Sequence, residues 1–253
     1  MAGNFFWYEL MTSDVDAAAR FYATVIGWTT QDFPSPDMRY VVVNANGVGV
    51  GGIMTVPPEA AAMGAPPAWM GYIHATDIDK QTESVKAIGG KVHRGPQDIP
   101  DVGRFSVVAD PQGAMFMLLQ PNGPDQPELD PMTPGHVGWC ELMATDWQTA
   151  FDFYSGQYGW TRGNAVEMGE MGTYQTFMQT RLQGGGMMNR PAHMPMPFWS
   201  FYFAVEGIDA AAKRVTDHGG TITFGPMEVP GGQWVVNCQD PQGAHFSLVS
   251  NTK

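Results

Sequence analysis

The chain opens its structured part with residues 5–12, FFWYELMT, whose richness in aromatic side chains reads as a strand. Ala18, Phe21, Tyr22, Val25 and Ile26 then recur at helical spacing, with Ser13 or Asp14 placed to cap the helix and Gly27 to end it. Short strands follow at RYVVVNA (39–45) and GVGVGGIMTV (47–56), then a Pro-rich loop at 57–69. A new strand, WMGYIHAT (69–76), leads into a helix capped near Asp77 or Asp79 and ended by Gly89-Gly90. The last two strands, RFSVVAD and AMFMLLQP, meet at the turn Asp110-Pro111-Gln112-Gly113, whose Pro and Gly supply the required backbone angles.

This string occurs twice. WYELMTSDVDAAARFYATVIGW (7–28) matches WCELMATDWQTAFDFYSGQYGW (139–160) at an offset of 132. The second helix (77–96 against 206–226) and the DPQG turn (Asp110 against Asp240) repeat at 130. A period of this length is too long for a solenoid and reads as two homologous modules of domain size. The expected architecture is α+β: two tandem modules, each a pair of βαβββ units. The boundaries fall at 1–121, a Pro-, Gly- and acid-rich linker at 122–135, and 136–253.

Composition narrows the function. With 43% hydrophobic and 15% charged residues the chain can pack a globular core. A net charge of -12, with scattered basic residues, excludes a phosphate-binding patch and argues against nucleic acid as a partner. The N-terminal decapeptide lacks the pattern of a signal peptide, and no run approaches a membrane span. Cys140 and Cys238 stand far apart without metal spacing, which reads as two reduced thiols in a cytoplasmic protein.

The paired βαβββ units, the FY…GW that closes the first helix and the DPxG before the last strand resemble the vicinal oxygen chelate superfamily. That superfamily includes glyoxalase I, extradiol dioxygenases, and fosfomycin- and bleomycin-resistance proteins. The combination with W.EL.T.D and DPQGA is similar to two-module bacterial glyoxalase-like proteins. The resemblance implies cupped mixed sheets and a small-molecule ligand. It leaves monomer or homodimer open, because the duplication already supplies the pairing that single-module relatives obtain by dimerising.

In metal-dependent members of that superfamily His, Gln and Glu from three strand positions hold a divalent cation. Carried across residue by residue, those positions are Trp7, Met70 and Met117 in module 1, and Trp139, Ser200 and Ser247 in module 2. None is an ordinary ligand for such a metal, so no metal and no other cofactor is expected.

If Trp7 faces the cup, strand alternation brings Phe5, Glu9 and Met11 with it, and Trp139 brings Glu141 and Met143. The same parity turns Met70, Tyr72 and His74, Ser200, Tyr202 and Ala204, Met115 and Met117, and His245 and Ser247 inward. Trp7, Tyr72, His74, Met117, Trp139, Tyr202, His245 and Ser247 are therefore candidate ligand-binding residues.

Glu9 and Glu141 are candidate catalytic bases or ligand anchors, and equally carboxylates paired across the module interface or held by backbone amides. Glu9 with His74, or Glu141 with His245, would form a substitute acid–base pair. The methionines at 168–172, 187–188 and 193–197 either fill gaps or form an adaptable rim. The glycines at 47–52 and 184–186 mark bulges or close strand approach rather than a phosphate loop.

Two functions remain. One is metal-independent binding of an aromatic or amphipathic small molecule, as in the bleomycin-resistance branch. The other is a glyoxalase-like lyase, isomerase or oxygenase acting on a small carbonyl or hydroxylated substrate through Glu9 or Glu141.

Overall fold

The computed structural model describes residues 2–34, 38–124, 129–180 and 182–253. Part of the linker expected at 122–135, residues 125–128, lies outside the described residues. The first sequence module yields β1 (Phe5–Thr12), α1 (Val15–Ile26), β2 (Thr29–Phe33), β3 (Tyr40–Ala45), β4 (Val48–Thr55), α2 (Pro58–Ala62), β5 (Ala68–His74), α3 (Ile78–Ala87), β6 (Lys91–Ile99), β7 (Gly103–Ala109) and β8 (Met115–Pro121). The second repeats the order with β9 (Val137–Ala144), α4 (Trp147–Tyr158), β10 (Thr161–Glu167), β11 (Thr173–Met178), β12 (Gly184–Asn189), β13 (Phe198–Ala204), α5 (Ile208–Asp217), β14 (Thr221–Glu228), β15 (Trp234–Gln239) and β16 (His245–Ser250). A single 3-10 turn, Gly169–Met171, lies between β10 and β11.

The strands form two eight-stranded sheets in the same order, β2-β3-β4-β1-β5-β8-β7-β6 and β10-β11-β12-β9-β13-β16-β15-β14. Each is mixed: β1 runs parallel to β4 and β5 to β8, while the outer pairs are antiparallel. The fold is thus α+β with two tandem copies of the paired βαβββ pattern.

The helix boundaries follow from capping chemistry. Asp14, not Ser13, caps α1 by accepting from the Ala17 amide, and Gly27 ends it in the left-handed region at φ 93°. Asp77, not Asp79, caps α3 through the Lys80 amide. Asp146 accepts from Gln148 and Thr149 at the start of α4.

The chain clusters into two compact units, and each takes half of both sequence modules. One comprises Met1–Phe6, Gly71–Asp130 and Cys140–Trp199; the other comprises Trp7–Met70, Pro131–Trp139 and Ser200–Lys253. The FY…GW motif builds the core of each. In the second unit Tyr22, Trp28, Trp69 and Phe203 meet edge-on or tilted at centroid distances of 4.9–5.9 Å. In the first, Trp160 stacks on Phe177 at 4.7 Å and on Tyr154 at 5.0 Å.

The DPQG aspartates complete these cores. Asp240 accepts from the Gln242 and Ala244 amides through Oδ1, and from the Tyr22 hydroxyl through Oδ2 at 3.0 Å. Tyr22 in turn accepts from Trp69 Nε1 at 2.9 Å. Asp110, Tyr154 and Trp199 repeat the chain in the other unit, at 3.3 and 3.0 Å. Burial raises both carboxyls above their ordinary range against the lowering effect of these hydrogen bonds. Burial, and then the facing aspartate, raises both phenols well above theirs.

One expectation is corrected by packing. Phe5, expected beside Trp7, packs instead on Trp160 and Trp199, and it is Phe6 that meets the His74 ring, at 5.3 Å. Just ahead of β1, the Gly3 amide donates to the His74 carbonyl and the Asn4 carbonyl accepts from the His74 amide; the Phe5 amide goes to Gln179 Oε1, and the register with β4 begins at Tyr8. Of the methionines left between gap-filling and rim roles, Met187 and Met188 are buried in β12, whereas Met171 and Met196 are more than half exposed.

Candidate functional site

Glu9 lies on β1 and Glu141 on β9, and both are buried. Each accepts a hydrogen bond at 2.9 Å from a tyrosine two strands away in the same sheet: Tyr40 to Glu9, Tyr174 to Glu141. Neither tyrosine was among the residues expected from sequence. The strand between supplies the room. In the register Glu9 faces Gly52 and Glu141 faces Gly186. A Cβ at Gly52 would overlap the Tyr40 hydroxyl, and one at Gly186 the Tyr174 ring and hydroxyl. Glycine therefore lets the phenol lie flat across the strand and reach the carboxylate, the close approach expected at GG (51–52) and GGG (184–186). A tyrosine on the next strand, beside a Gly facing the Glu, is the sequence signal that would have found both partners.

Trp7 is half-buried and donates from Nε1 to the Tyr40 hydroxyl at 3.3 Å. Trp7, Tyr40 and Glu9 form a chain of donors ending on a carboxylate, with an indole face alongside. Burial, and then the Glu9 charge, raises the Tyr40 phenol well above its ordinary value, so it stays a donor at neutral pH. Such a chain can orient a carboxylate toward a ligand hydroxyl or amine, or hold it as a proton acceptor.

The remaining candidates are placed as follows. Tyr72 and His74 are buried on β5, and Tyr72 pairs with Met117 of β8. Glu9 and His74 belong to different compact units, as do Glu141 and His245. His245 opens β16 exposed, paired with Gln239. Tyr202 pairs with Ser247. Tyr202, Ala204 and Val249 form a cluster onto which half-buried Trp139, Met132 and Val235 pack. Ser200 Oγ lies 3.2 Å from Ser247 Oγ, which donates to Asn237 Oδ1 at 3.2 Å. Asn237 is a third residue that sequence did not single out.

The chain matches the sequence profile of the Glyoxalase/Bleomycin resistance protein/Dioxygenase superfamily over residues 4–118 and again over 136–248. It belongs to that superfamily. CFP32 of Mycobacterium tuberculosis, named as a candidate glyoxylase, is 34% identical over 246 residues, covering 96% of this chain and 93% of that protein. The anthracycline biosynthesis protein DauV of Streptomyces sp. strain C5 is 30% identical over 254 residues, covering 96% and 91%. Among solved structures, the Mn(II)-bound glyoxalase from Novosphingobium aromaticivorans aligns with a TM-score of 0.65 at 16% identity, covering 100% of this chain and 83% of its own. The 2,3-dioxygenase LapB from Pseudomonas sp. KL28 aligns at 0.68 with 12% identity, covering 99% and 92%. These two share the fold.

The metal of such relatives has no matching donor set here. The positions implied by the resemblance hold indole at 7 and 139, thioether at 70 and 117, and at 200 and 247 two hydroxyls bonded to one another. A divalent cation takes carboxylate oxygen and imidazole instead, so these residues do not fit it. Among the described residues no group of three or more His, Cys, Asp or Glu side chains could hold a metal ion, and no helix is long and apolar enough to cross a membrane.

Proposed function

We propose that this protein binds a flat aromatic or amphipathic small molecule and does so without a metal. The observation that carries the reading is the Trp7–Tyr40–Glu9 chain, an indole face joined to an oriented carboxylate. The indole favours a planar apolar ring system, and the carboxylate selects members that carry a hydroxyl or amine. The filling of the metal positions by Trp, Met and Ser supports the metal-free part. The name of DauV, an anthracycline biosynthesis protein, supports a polycyclic ligand.

Titration with 1,4-dihydroxyanthraquinone, followed by tryptophan fluorescence, tests the reading. Saturable quenching is expected, weakened at least tenfold in Trp7→Ala; unsaturable quenching in the wild type contradicts it.

A second reading rests on the duplicated buried carboxylate and on the name of CFP32. Glu9 or Glu141 would then act as the base of a glyoxalase-like lyase, isomerase or oxygenase on a small carbonyl or hydroxylated substrate. Turnover of such a substrate abolished by Glu9→Gln, with no aromatic compound bound, would establish it over the first.

A further inference from the structure

The two modules differ most where their repeat would make them alike. Position 70 is Met and its counterpart at 200 is Ser; position 117 is Met and its counterpart at 247 is Ser; position 107 is Val and its counterpart at 237 is Asn. Three apolar residues of module 1 are thus replaced together by three hydrogen-bonding ones in module 2. The replacements are neighbours in space as well as in the alignment. Ser247 pairs with Asn237 across β16 and β15, as Met117 pairs with Val107 across β8 and β7.

The hydrogen bonds give the trio a direction. Ser247 spends its proton on Asn237 Oδ1, so the bond between Ser200 and Ser247 must be donated by Ser200. The Asn237 amide nitrogen keeps its two donors, and the Ser200 oxygen keeps its lone pairs. Ser247 is buried, whereas Ser200 and Asn237, at the two ends of the chain, are half-exposed. Beside them on the same face of β13, β16 and β15 lie Tyr202 and half-buried Trp139, an apolar wall for a ring.

From this we infer that Ser200, Ser247 and Asn237 form a neutral polar subsite in module 2 that recognises a carbonyl and a hydroxyl on the ligand. The Asn237 amide donates to the carbonyl, the Ser200 oxygen accepts from the hydroxyl, and Ser247 holds both ends in place. The subsite takes an uncharged hydroxy-carbonyl aromatic, whereas the matching module 1 positions, Met70, Met117 and Val107, offer no side-chain hydrogen-bonding group of that kind. The inference rests on the proposed binding function and assigns to module 2 a carbonyl and a hydroxyl of the ligand, in addition to the group that Glu9 of module 1 selects.

The test compares 2-hydroxyanthraquinone, whose single hydroxyl has no peri carbonyl to donate to, with 9,10-anthraquinone, the same ring frame without a hydroxyl, by titration calorimetry of the full chain. The wild type is expected to prefer the hydroxylated compound about tenfold, the worth of one hydrogen bond made in a site that otherwise leaves its acceptor unpaired. Ser200→Ala is expected to erase that preference while anthraquinone binds as before. Asn237→Val is expected to weaken both compounds about tenfold. Thermal melts of each variant establish that it is folded, and half-exposed Ser200 makes its alanine variant the least disruptive arm. Equal wild-type affinity for the two compounds, or a preference that survives Ser200→Ala, overturns the subsite and leaves the binding function standing. No saturable binding of either compound removes the binding function itself, and the subsite with it.

Discussion

The Tyr22 hydroxyl donates to Asp240 Oδ2 at 3.0 Å across 218 residues of sequence, and Tyr154 makes the same bond to Asp110. Each pair joins the first helix of one sequence module to the DPQG turn of the other. Each tyrosine also accepts from a buried indole, Trp69 or Trp199. The two motifs most visible in the sequence, FY and DPQG, therefore act first as partners in packing.

Tyr22→Phe removes one bond to a buried carboxyl and leaves the Trp69 N–H without its acceptor. A loss of about 1–3 kcal/mol in unfolding free energy is expected, and Tyr154→Phe should cost a similar amount. Urea denaturation measures both. A change below a few tenths of a kcal/mol in either would show that the chain is not holding its core.

The raised carboxyls of Asp110 and Asp240 set a sign for pH dependence. Burial lifts each above its ordinary value of 3.8, so the folded state binds more protons than the unfolded state just above that pH. Their contribution to stability is complete below pH 3.8 and declines as pH rises through the folded-state values. Unfolding curves collected from pH 3.5 upward should show the stability of Asp240→Asn falling less steeply with pH than that of the wild type. Parallel pH profiles would contradict this assignment.

Gly52 is required by Tyr40 rather than by its own backbone. Gly52→Ala should destabilise the fold by about 1–3 kcal/mol, because the added methyl overlaps the Tyr40 hydroxyl and drives it off Glu9. The double variant Gly52→Ala/Tyr40→Ala should recover much of that stability while still binding 1,4-dihydroxyanthraquinone weakly. Denaturation and fluorescence titration together check it: recovery of both properties would leave Tyr40 no part in recognition.

How far the sequence reached is clear at particular residues. Asp14, Gly27, Asp77 and the DPQG turns were legible because a cap or a turn is decided by residues within a few positions. The edge strands β2 and β10 were not. TTQDF is exposed along its whole length and carries no period-two apolar signal. The phenol on Glu9 was missed because it arrives from 31 residues away through a diagonal neighbour on the far side of a glycine strand. The turn of Phe5 into the core depends on Trp160 and Trp199, which come from the other sequence module. The regrouping of half-modules into compact units depends on contacts such as Tyr22–Asp240, which a repeat period cannot reveal.

The most direct test of metal-free binding is a titration of 1,4-dihydroxyanthraquinone into protein stripped with a chelator, set beside one into protein loaded with Mn(II) or Fe(II). Equal dissociation constants within a factor of two are expected, with substoichiometric metal in the purified chain. Binding that disappears with the chelator and returns with one equivalent of metal would contradict the account.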